Sequence, residues 1–260
     1  MIDQRSIVLV NEELTAGYRR IVFRAPDIAA ESAPGQFVHV QIPTLRDRIL
    51  RRPFSICSVD VSAGTVTVVF KVVGQGTGEL ARVAAGTEMQ VLGPLGKGYT
   101  LRQDAVPLLI TGGYGSASTL FLAERAAKKG IVLMGARTEQ DLILREEYAA
   151  LGFDVRVATN DGSCGVKGFV TELIPQALAD AGNPVIYACG PKPMLYAVGR
   201  QMLSTDVETQ LSLDQNMCCG VGACFACVIK VNDAGSPDGF RYARTCSEGP
   251  VFFAGEVYYE

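Results

Sequence analysis

Val106-Pro107-Leu108-Leu109-Ile110-Thr111-Gly112-Gly113 is a short, unbroken apolar run that stops at a pair of glycines. Residues 119–129 then have helix-forming composition up to Gly130, and a second apolar run, Ile131-Val132-Leu133-Met134-Gly135-Ala136-Arg137, follows at once. Apolar runs of this length bounded by glycine read as strands buried on both faces, and strand, glycine turn, helix and strand make a βαβ unit. Val155-Arg156-Val157-Ala158 and Val185-Ile186-Tyr187-Ala188-Cys189 supply further strands. Residues 103–207 are therefore expected to form an α/β domain on a parallel sheet.

Upstream the rhythm is different. Ser6-Ile7-Val8-Leu9-Val10, Tyr18-Arg19-Arg20-Ile21-Val22-Phe23 and Thr65-Val66-Thr67-Val68-Val69-Phe70-Lys71-Val72 are short strand-like runs punctuated by Ala33-Pro34-Gly35 and Ser62-Ala63-Gly64. Such strands at this spacing predict a small antiparallel β-barrel or sandwich over residues 1–102. Gly93-Pro94-Leu95-Gly96-Lys97-Gly98-Tyr99 reads as an architectural turn into the α/β half. Downstream of residue 207 the chain turns rich in Cys and Gly, so residues 208–260 are expected to be a small domain held by a metal. The fold class is α+β and multidomain.

Of the eight cysteines, Cys219, Cys224 and Cys227 stand as C-x4-C-x2-C with Cys246 downstream. That is the plant-type [2Fe-2S] spacing, in which four thiolates neutralise two irons while Gly220, Gly222 and Ala223 leave the backbone free to curl around the sulfurs. Structural zinc prefers two C-x2-C knuckles, and one is present. Cys218 reads as a small buried residue beside the ligands.

Two further segments carry binding chemistry. Arg51-Arg52-Pro53-Phe54-Ser55-Ile56 collects a guanidinium for a pyrophosphate, a rigid turn, an aromatic face and a hydroxyl for a flavin, and Gly74-Gln75-Gly76-Thr77-Gly78 offers backbone N–H groups at the start of a helix over 79–83. Gly112 and Gly113 lie where the phosphates of a nucleotide meet a helix N-terminus, and Cys189, Gly190 and Pro191 end a later strand where a nicotinamide can lie. Asn160-Asp161-Gly162-Ser163 reads as a turn. His39, the single histidine, alternates with Phe37 on a strand and reads as an ordinary strand residue. Lys128 and Lys129 read as a solvated helix end. The aromatic tail, Phe252, Phe253, Tyr258 and Tyr259, reads as partner contact in preference to core.

Composition narrows the function. Apolar residues make up 48% and charged residues 20%, with 24 Lys plus Arg against 27 Asp plus Glu. These are ordinary globular values, and the net charge of -3 leaves no basic footprint for nucleic acid. No run approaches the roughly 18 apolar residues of a membrane span. Met1-Ile2-Asp3-Gln4-Arg5 does not begin a secretory signal, and with thiols in this pattern the expected location is the cytoplasm.

Pro34-Gly35-Gln36-Phe37, Arg51 to Ile56, Gly93-Pro94-Leu95-Gly96, Asp161-Gly162-Ser163, Cys189-Gly190-Pro191, the Cys219 to Cys227 segment and Cys246-Ser247-Glu248-Gly249-Pro250-Val251-Phe252, in this order, resemble the electron-transfer subunits of dihydroorotate dehydrogenase B, within the ferredoxin-reductase superfamily. The resemblance covers nearly the whole chain. It implies FAD in the barrel, NAD in the α/β domain and a [2Fe-2S] cluster at the C-terminus. The implied FAD contacts fall on Arg52, Pro53, Phe54, Ser55, Val69, Phe70, Lys71, Gly76 and Thr77, the NAD contacts on Gly112, Gly113, Gly190 and Pro191, and the catalytic position beside the nicotinamide on Cys189. The implied metal ligands are Cys219, Cys224, Cys227 and Cys246. The resemblance also implies a partner, an FMN-containing catalytic subunit paired two plus two in a heterotetramer, with electrons from dihydroorotate passing through the cluster and FAD to NAD.

Two departures stand out. Tyr114 replaces a family glycine, with Ser118 and Thr119 in place of prolines further on, and Leu213-Asp214-Gln215-Asn216-Met217 lacks the family's Glu-Glu-Arg. Two other readings keep the architecture. In one the subunit serves a different redox partner, and in the other Tyr114 closes the nicotinamide site and the chain is an electron conduit.

Overall fold

The computed structural model describes residues 1–15, 17–45 and 50–259. The first lobe contains β1 (Ile2–Thr15), β2 (Tyr18–Arg24), α1 (Pro26–Glu31), β3 (Phe37–Val40), β4 (Arg52–Asp60), β5 (Thr65–Lys71), α2 (Gln75–Ala81) and β6 (Glu88–Leu95). The strands close into an antiparallel barrel in the order β1-β2-β5-β4-β3-β6. Alternation explains the closure. Val8, Ile21, Phe23, Val38, Val40, Ile56, Val66, Val68 and Val91 point inward and make one core. Helix α2 starts at the glycine run itself, earlier than the 79–83 expected, because Thr77 Oγ1 accepts from Val73 N (2.9 Å) and Gly74 N (3.2 Å) and satisfies the N-terminal donors.

The second lobe follows with β7 (Val106–Gly112), α3 (Gly115–Arg125), β8 (Ile131–Ala136), α4 (Arg145–Ala150), β9 (Asp154–Thr159), β10 (Val166–Lys167), α5 (Ile174–Ala181), β11 (Pro184–Cys189), α6 (Lys192–Met202) and β12 (Thr209–Ser212). Then come β13 (Val228–Asn232), β14 (Phe240–Arg244) and β15 (Val251–Phe253). The sheet runs β10-β9-β8-β7-β11-β12-β15, parallel except that β15 is antiparallel to β12. The cysteine segment thus leaves this sheet after β12 and returns to it at β15, with β13 and β14 as its own hairpin. The sequence boundary at 208 falls just ahead of β12, which belongs to the α/β sheet.

Helix α3 covers 115–125 and not 119–129. Ala126 turns extended, Ala127 N donates to Gln103 Oε1 (3.0 Å), and Lys129 Nζ reaches back to the Ala123 carbonyl (3.1 Å) while lying 5.3 Å from the Phe153 ring centroid. Lys129 therefore caps the helix that it was expected to extend. Residues 115–123 of α3 are buried on every side, because the helix lies between sheet and barrel, and Phe121 belongs to the barrel core. Truncating a buried Phe of this kind costs about 3–5 kcal/mol, a large part of a typical stability. The lobes are also locked by polar contacts. Tyr18 OH (2.9 Å) and Lys71 Nζ (2.6 Å) both donate to Asp141 Oδ1, and Tyr99 OH donates to the Ala188 carbonyl (3.1 Å). Among the described residues no helix is long and apolar enough to cross a membrane.

Candidate redox sites

The basic pair before Pro53 splits into two jobs. Arg51 is held in a bidentate pair with Asp3 of β1 (2.8 Å to each oxygen), whereas Arg52 turns toward α2, where a Cβ on Gly76 would lie 2.9 Å from its Nε. Arg52 also donates to the Leu50 carbonyl (2.8 Å), which fixes its orientation. Residues 52–55 are half-buried although they lie on a barrel strand, and Phe54 sits 5.4 Å from the Phe70 ring centroid. A guanidinium beside a glycine turn, next to an incompletely covered run with an aromatic and a hydroxyl, suits a dinucleotide's diphosphate and ring system. The structure brings Arg52, Phe54 and Gly76 together, whereas the Phe70 side chain is 3% exposed within the barrel core and supports Phe54 from behind. Thr77 Oγ1 is occupied by its own turn, and the Lys71 ammonium is taken by Asp141, so neither side chain is free for a ligand.

The second site lies where the sheet order reverses. β7 has β8 on one side and β11 on the other, so the loops leaving β7 and β11 border one crevice. Their backbones touch. A Cβ on Gly112 would lie 2.8 Å from both Met194 Sδ and Pro191 Cδ, one on Gly115 would strike the Cys189 carbonyl, and one on Gly190 would lie 3.0 Å from Gly112 N. The glycines are required by this approach, which brings Gly112, Gly113, Cys189, Gly190 and Pro191 together. Tyr114 stands at the N-cap of α3 and is 51% exposed, and burial, followed by Asp214 and Cys189, raises its hydroxyl pKa, which places it at the rim of the crevice beside Cys189. Of the two residues in place of prolines, Thr119 shares a hydrogen bond with Tyr148 OH (2.7 Å), which also donates to the Ser116 carbonyl (2.7 Å), whereas Ser118 Oγ is buried with no hydrogen-bond partner among the described residues. Cys189 is 7% exposed, and burial, against the pull of the Ser212 and Ser118 hydroxyls, pushes its thiol up to about 11. It is a neutral wall of the crevice at neutral pH and not a thiolate nucleophile.

The third site is the cysteine segment. The thiols of Cys219 and Cys224 lie close enough to act on one another's ionisation, as do those of Cys227 and Cys246. Burial raises the Cys219 thiol, but the Val221, Cys224 and Ala223 N–H groups and the Cys224 thiol together outweigh it and leave it at about 6. Burial first, then Cys227, raises the Cys246 thiol to about 11. Among the described residues no three donors converge on one mononuclear centre. Two adjacent thiol pairs, each suited to one iron, fit a [2Fe-2S] cluster. Cys227 and Cys246 pack with Phe37 and Leu95 of the barrel. The turn after β6 seats the segment, with Lys97 N donating to the Gly249 carbonyl (2.5 Å).

Arg244 and Glu248 clamp the loop. Arg244 Nη1 donates to the Gly222 carbonyl (3.1 Å), its Nε donates to Glu248 Oε1 (3.1 Å), and the guanidinium lies 4.8 Å from the Phe225 ring centroid. The Arg244 backbone N–H, followed by the Arg241 and Arg244 side chains, holds the Glu248 carboxyl at about 2. A depressed carboxyl contributes stability above its unfolded value near 4.5 and loses it as pH falls toward 2. Glu248→Gln is therefore expected to lose iron faster than the parent at pH 7, with the gap between the two closing from about pH 4.5 to pH 2, followed by iron release.

Three sequence expectations are corrected. Cys218 is exposed, because the residue before a ligand on this loop points away from the centre. The tail is core more than partner contact. Phe252 is buried, Tyr259 OH donates to the Ala254 carbonyl (2.9 Å), and a Cβ on Gly199 would strike that hydroxyl, while Phe253 alone is open at 38%. His39 is not an ordinary strand residue. It is 1% exposed on the outer face of β3, and burial, with Arg51 adding to it, lowers its pKa to about 4. A lone histidine two residues from Phe37 was the available signal, but alternation does not reveal that the outer face of β3 is covered as well.

A closed barrel with a flavin-suited face, a nucleotide crevice at a sheet reversal and two thiol pairs docked on the barrel define a ferredoxin-reductase-type oxidoreductase with an added iron-sulfur segment. Comparison with known proteins agrees. Residues 6–99 match the oxidoreductase FAD-binding domain, 109–200 the oxidoreductase NAD-binding domain, and 214–258 the iron-sulfur cluster binding domain of dihydroorotate dehydrogenase B. The dihydroorotate dehydrogenase B (NAD(+)) electron transfer subunit of Geobacillus sp. (strain WCH70) is 42% identical over 87% of this chain and 87% of its own. That of Bacillus cereus (strain B4264) is 37% identical over 99% of both. The chain belongs to this family of electron transfer subunits. A solved structure of an NADH-dependent reduced ferredoxin-NADP oxidoreductase, described for flavin-based electron bifurcation, superposes with a TM-score of 0.85 at 27% identity over 98% of this chain and 90% of that one. The ferredoxin reductase of carbazole 1,9a-dioxygenase shares the fold, with a TM-score of 0.68 at 22% identity over 79% of this chain and 66% of that one.

Proposed function

We propose that this chain passes electrons from dihydroorotate, oxidised in a separate FMN-carrying catalytic subunit, to NAD+ in the cytoplasm, two such chains assembling with two catalytic subunits. The observation that carries the reading is the docking of the thiol-bearing segment on β3, the strand hydrogen-bonded to the flavin-suited run of β4. Cluster and flavin sites thus share one strand pair, the arrangement a subunit needs to receive electrons singly and deliver them in pairs.

Bound FAD supplies the conversion between one-electron and two-electron transfer. Arg52, with the turn at Gly76, holds its diphosphate, Phe54 flanks its ring system with Phe70 packed behind it, and Ser55 hydrogen-bonds its edge. Pro53 keeps that strand edge rigid, and Val69, Lys71 and Thr77 shape the site through their backbones. Gly112 and Gly113 let the NAD phosphates approach α3, and Gly190 and Pro191 set the crevice floor. Cys189 presents an uncharged sulfur beside the nicotinamide and excludes water there. Cys219 with Cys224, and Cys227 with Cys246, hold the cluster.

Co-expression with an FMN-carrying dihydroorotate-oxidising subunit tests the assembly. The expected result is a complex of two plus two by mass, in which NAD+ reduction requires dihydroorotate. A chain that binds no such subunit, and whose cluster is reduced by ferredoxin instead, would assign it to another redox partner.

A further inference from the structure

The Nε2 atom of His39 is buried and has no hydrogen-bond partner among the described residues. Such an orphan costs about 1–3 kcal/mol, so a native site that keeps one usually supplies its partner from outside the polypeptide. The surroundings narrow what that partner is. A Cβ on Gly220 would lie 2.6 Å from Cε1, 2.8 Å from Nε2 and 2.9 Å from Nδ1 of His39, so the nitrogen-bearing edge of the ring presses on the residue next to Cys219. Gly220 also has φ +71, so glycine is needed there for conformation as well as for space. Two residues along the same face of β3, Phe37 packs on Cys227 and Cys246. The outer face of β3 therefore offers the thiol pairs one apolar ring and one ring able to donate an N–H. On the other side, His39 is in register with Pro53 of the flavin-suited run.

We propose that His39 Nε2 donates a hydrogen bond to a sulfur of the [2Fe-2S] cluster and thereby raises the cluster's reduction potential. The inference rests on the cluster assignment and deepens it. A donor aimed at a cluster sulfur stabilises the extra negative charge of the reduced form, and hydrogen bonds to sulfur are a principal control on such potentials. The surrounding protein has few alternatives to offer, since Phe37, Val38 and Val40 of the same strand are apolar and buried.

Because His39 is the chain's only histidine, an untagged chain grown on 15N-histidine carries a single label. Iron and acid-labile sulfide are measured first, and a chain without them sinks the cluster assignment and this proposal together. In the loaded, reduced chain, pulsed EPR is expected to show 15N coupling to the cluster. Its absence overturns the proposal without touching the cluster assignment, and needs no variant to fold. Potentiometric titration then compares His39→Leu with His39→Gln, which keeps an N–H donor. The Leu variant is expected to favour the oxidised cluster about tenfold more than the parent, a shift of ~59 mV to more negative potential for one electron. The Gln variant is expected to recover most of that shift, with the flavin potential unchanged in both. An iron-loaded Leu variant at the parent potential, equal shifts in Leu and Gln, or a shift confined to the flavin contradicts the hydrogen bond to sulfur.

Discussion

Cys246→Ala is expected to remove the cluster's visible and EPR signals while leaving the flavin half of the chain at work. Cys246 is 2% exposed and paired with Cys227 against Phe37 and Leu95, so the substitution deletes a ligand and opens a small void in the packing that seats the segment. Loss of groups that merely orient a metal ligand already costs about 10–100-fold, so loss of the ligand itself should weaken cluster retention more than about 100-fold. The nucleotide crevice and the barrel face are built from other elements, and separated sites behave independently to within about 0.5 kcal/mol. NADH-driven reduction of an artificial acceptor should therefore stay within about threefold of the parent, while dihydroorotate-driven NAD+ reduction in the complex is lost. Iron content and the two assays on one preparation check this. Loss of both activities together would mean that the cluster segment is needed for the flavin lobe to fold.

The second large effect separates the two arginines before Pro53. Arg52→Leu removes a guanidinium aimed at the Gly76 turn, and a charge-assisted hydrogen bond of that kind contributes about 1.5–3 kcal/mol, or about 10–150-fold in FAD affinity. Arg51→Leu removes a pair with Asp3 at the barrel surface, where an ion pair contributes about 0–1 kcal/mol, so FAD affinity should change no more than about fivefold. The check is FAD affinity by fluorescence on the reconstituted apoprotein of each. Equal losses from both substitutions would remove Arg52 from the diphosphate site.

Local signals reached the fold because each is short in range. Two-residue alternation marked the barrel strands, the unbroken run ending at Gly112-Gly113 marked the first parallel strand, and the spacing of Cys219, Cys224 and Cys227 marked the metal segment before any packing was known. What stayed hidden depends on which surfaces meet. The outer face of β3 becomes interior because a segment far along the chain lands on it, so His39 looked ordinary. Helix α3 stops at Arg125 because Gln103 and Lys129 take up its last groups, contacts that helix propensity does not contain. Tyr18 and Lys71 meet Asp141 across the lobes through residues with no shared motif. Tyr114 suggested a blocked crevice, and it stands half-exposed at the cap of α3, where NADH titration decides between entry and closure.

The most direct test is the visible spectrum of the anaerobically purified chain during titration with NADH. An electron transfer subunit of this design is expected to show flavin and iron-sulfur bands that both bleach, the flavin first, as NADH is added. Bands that bleach with dithionite but not with NADH would contradict the nicotinamide crevice and leave a chain that carries electrons only between other redox centres.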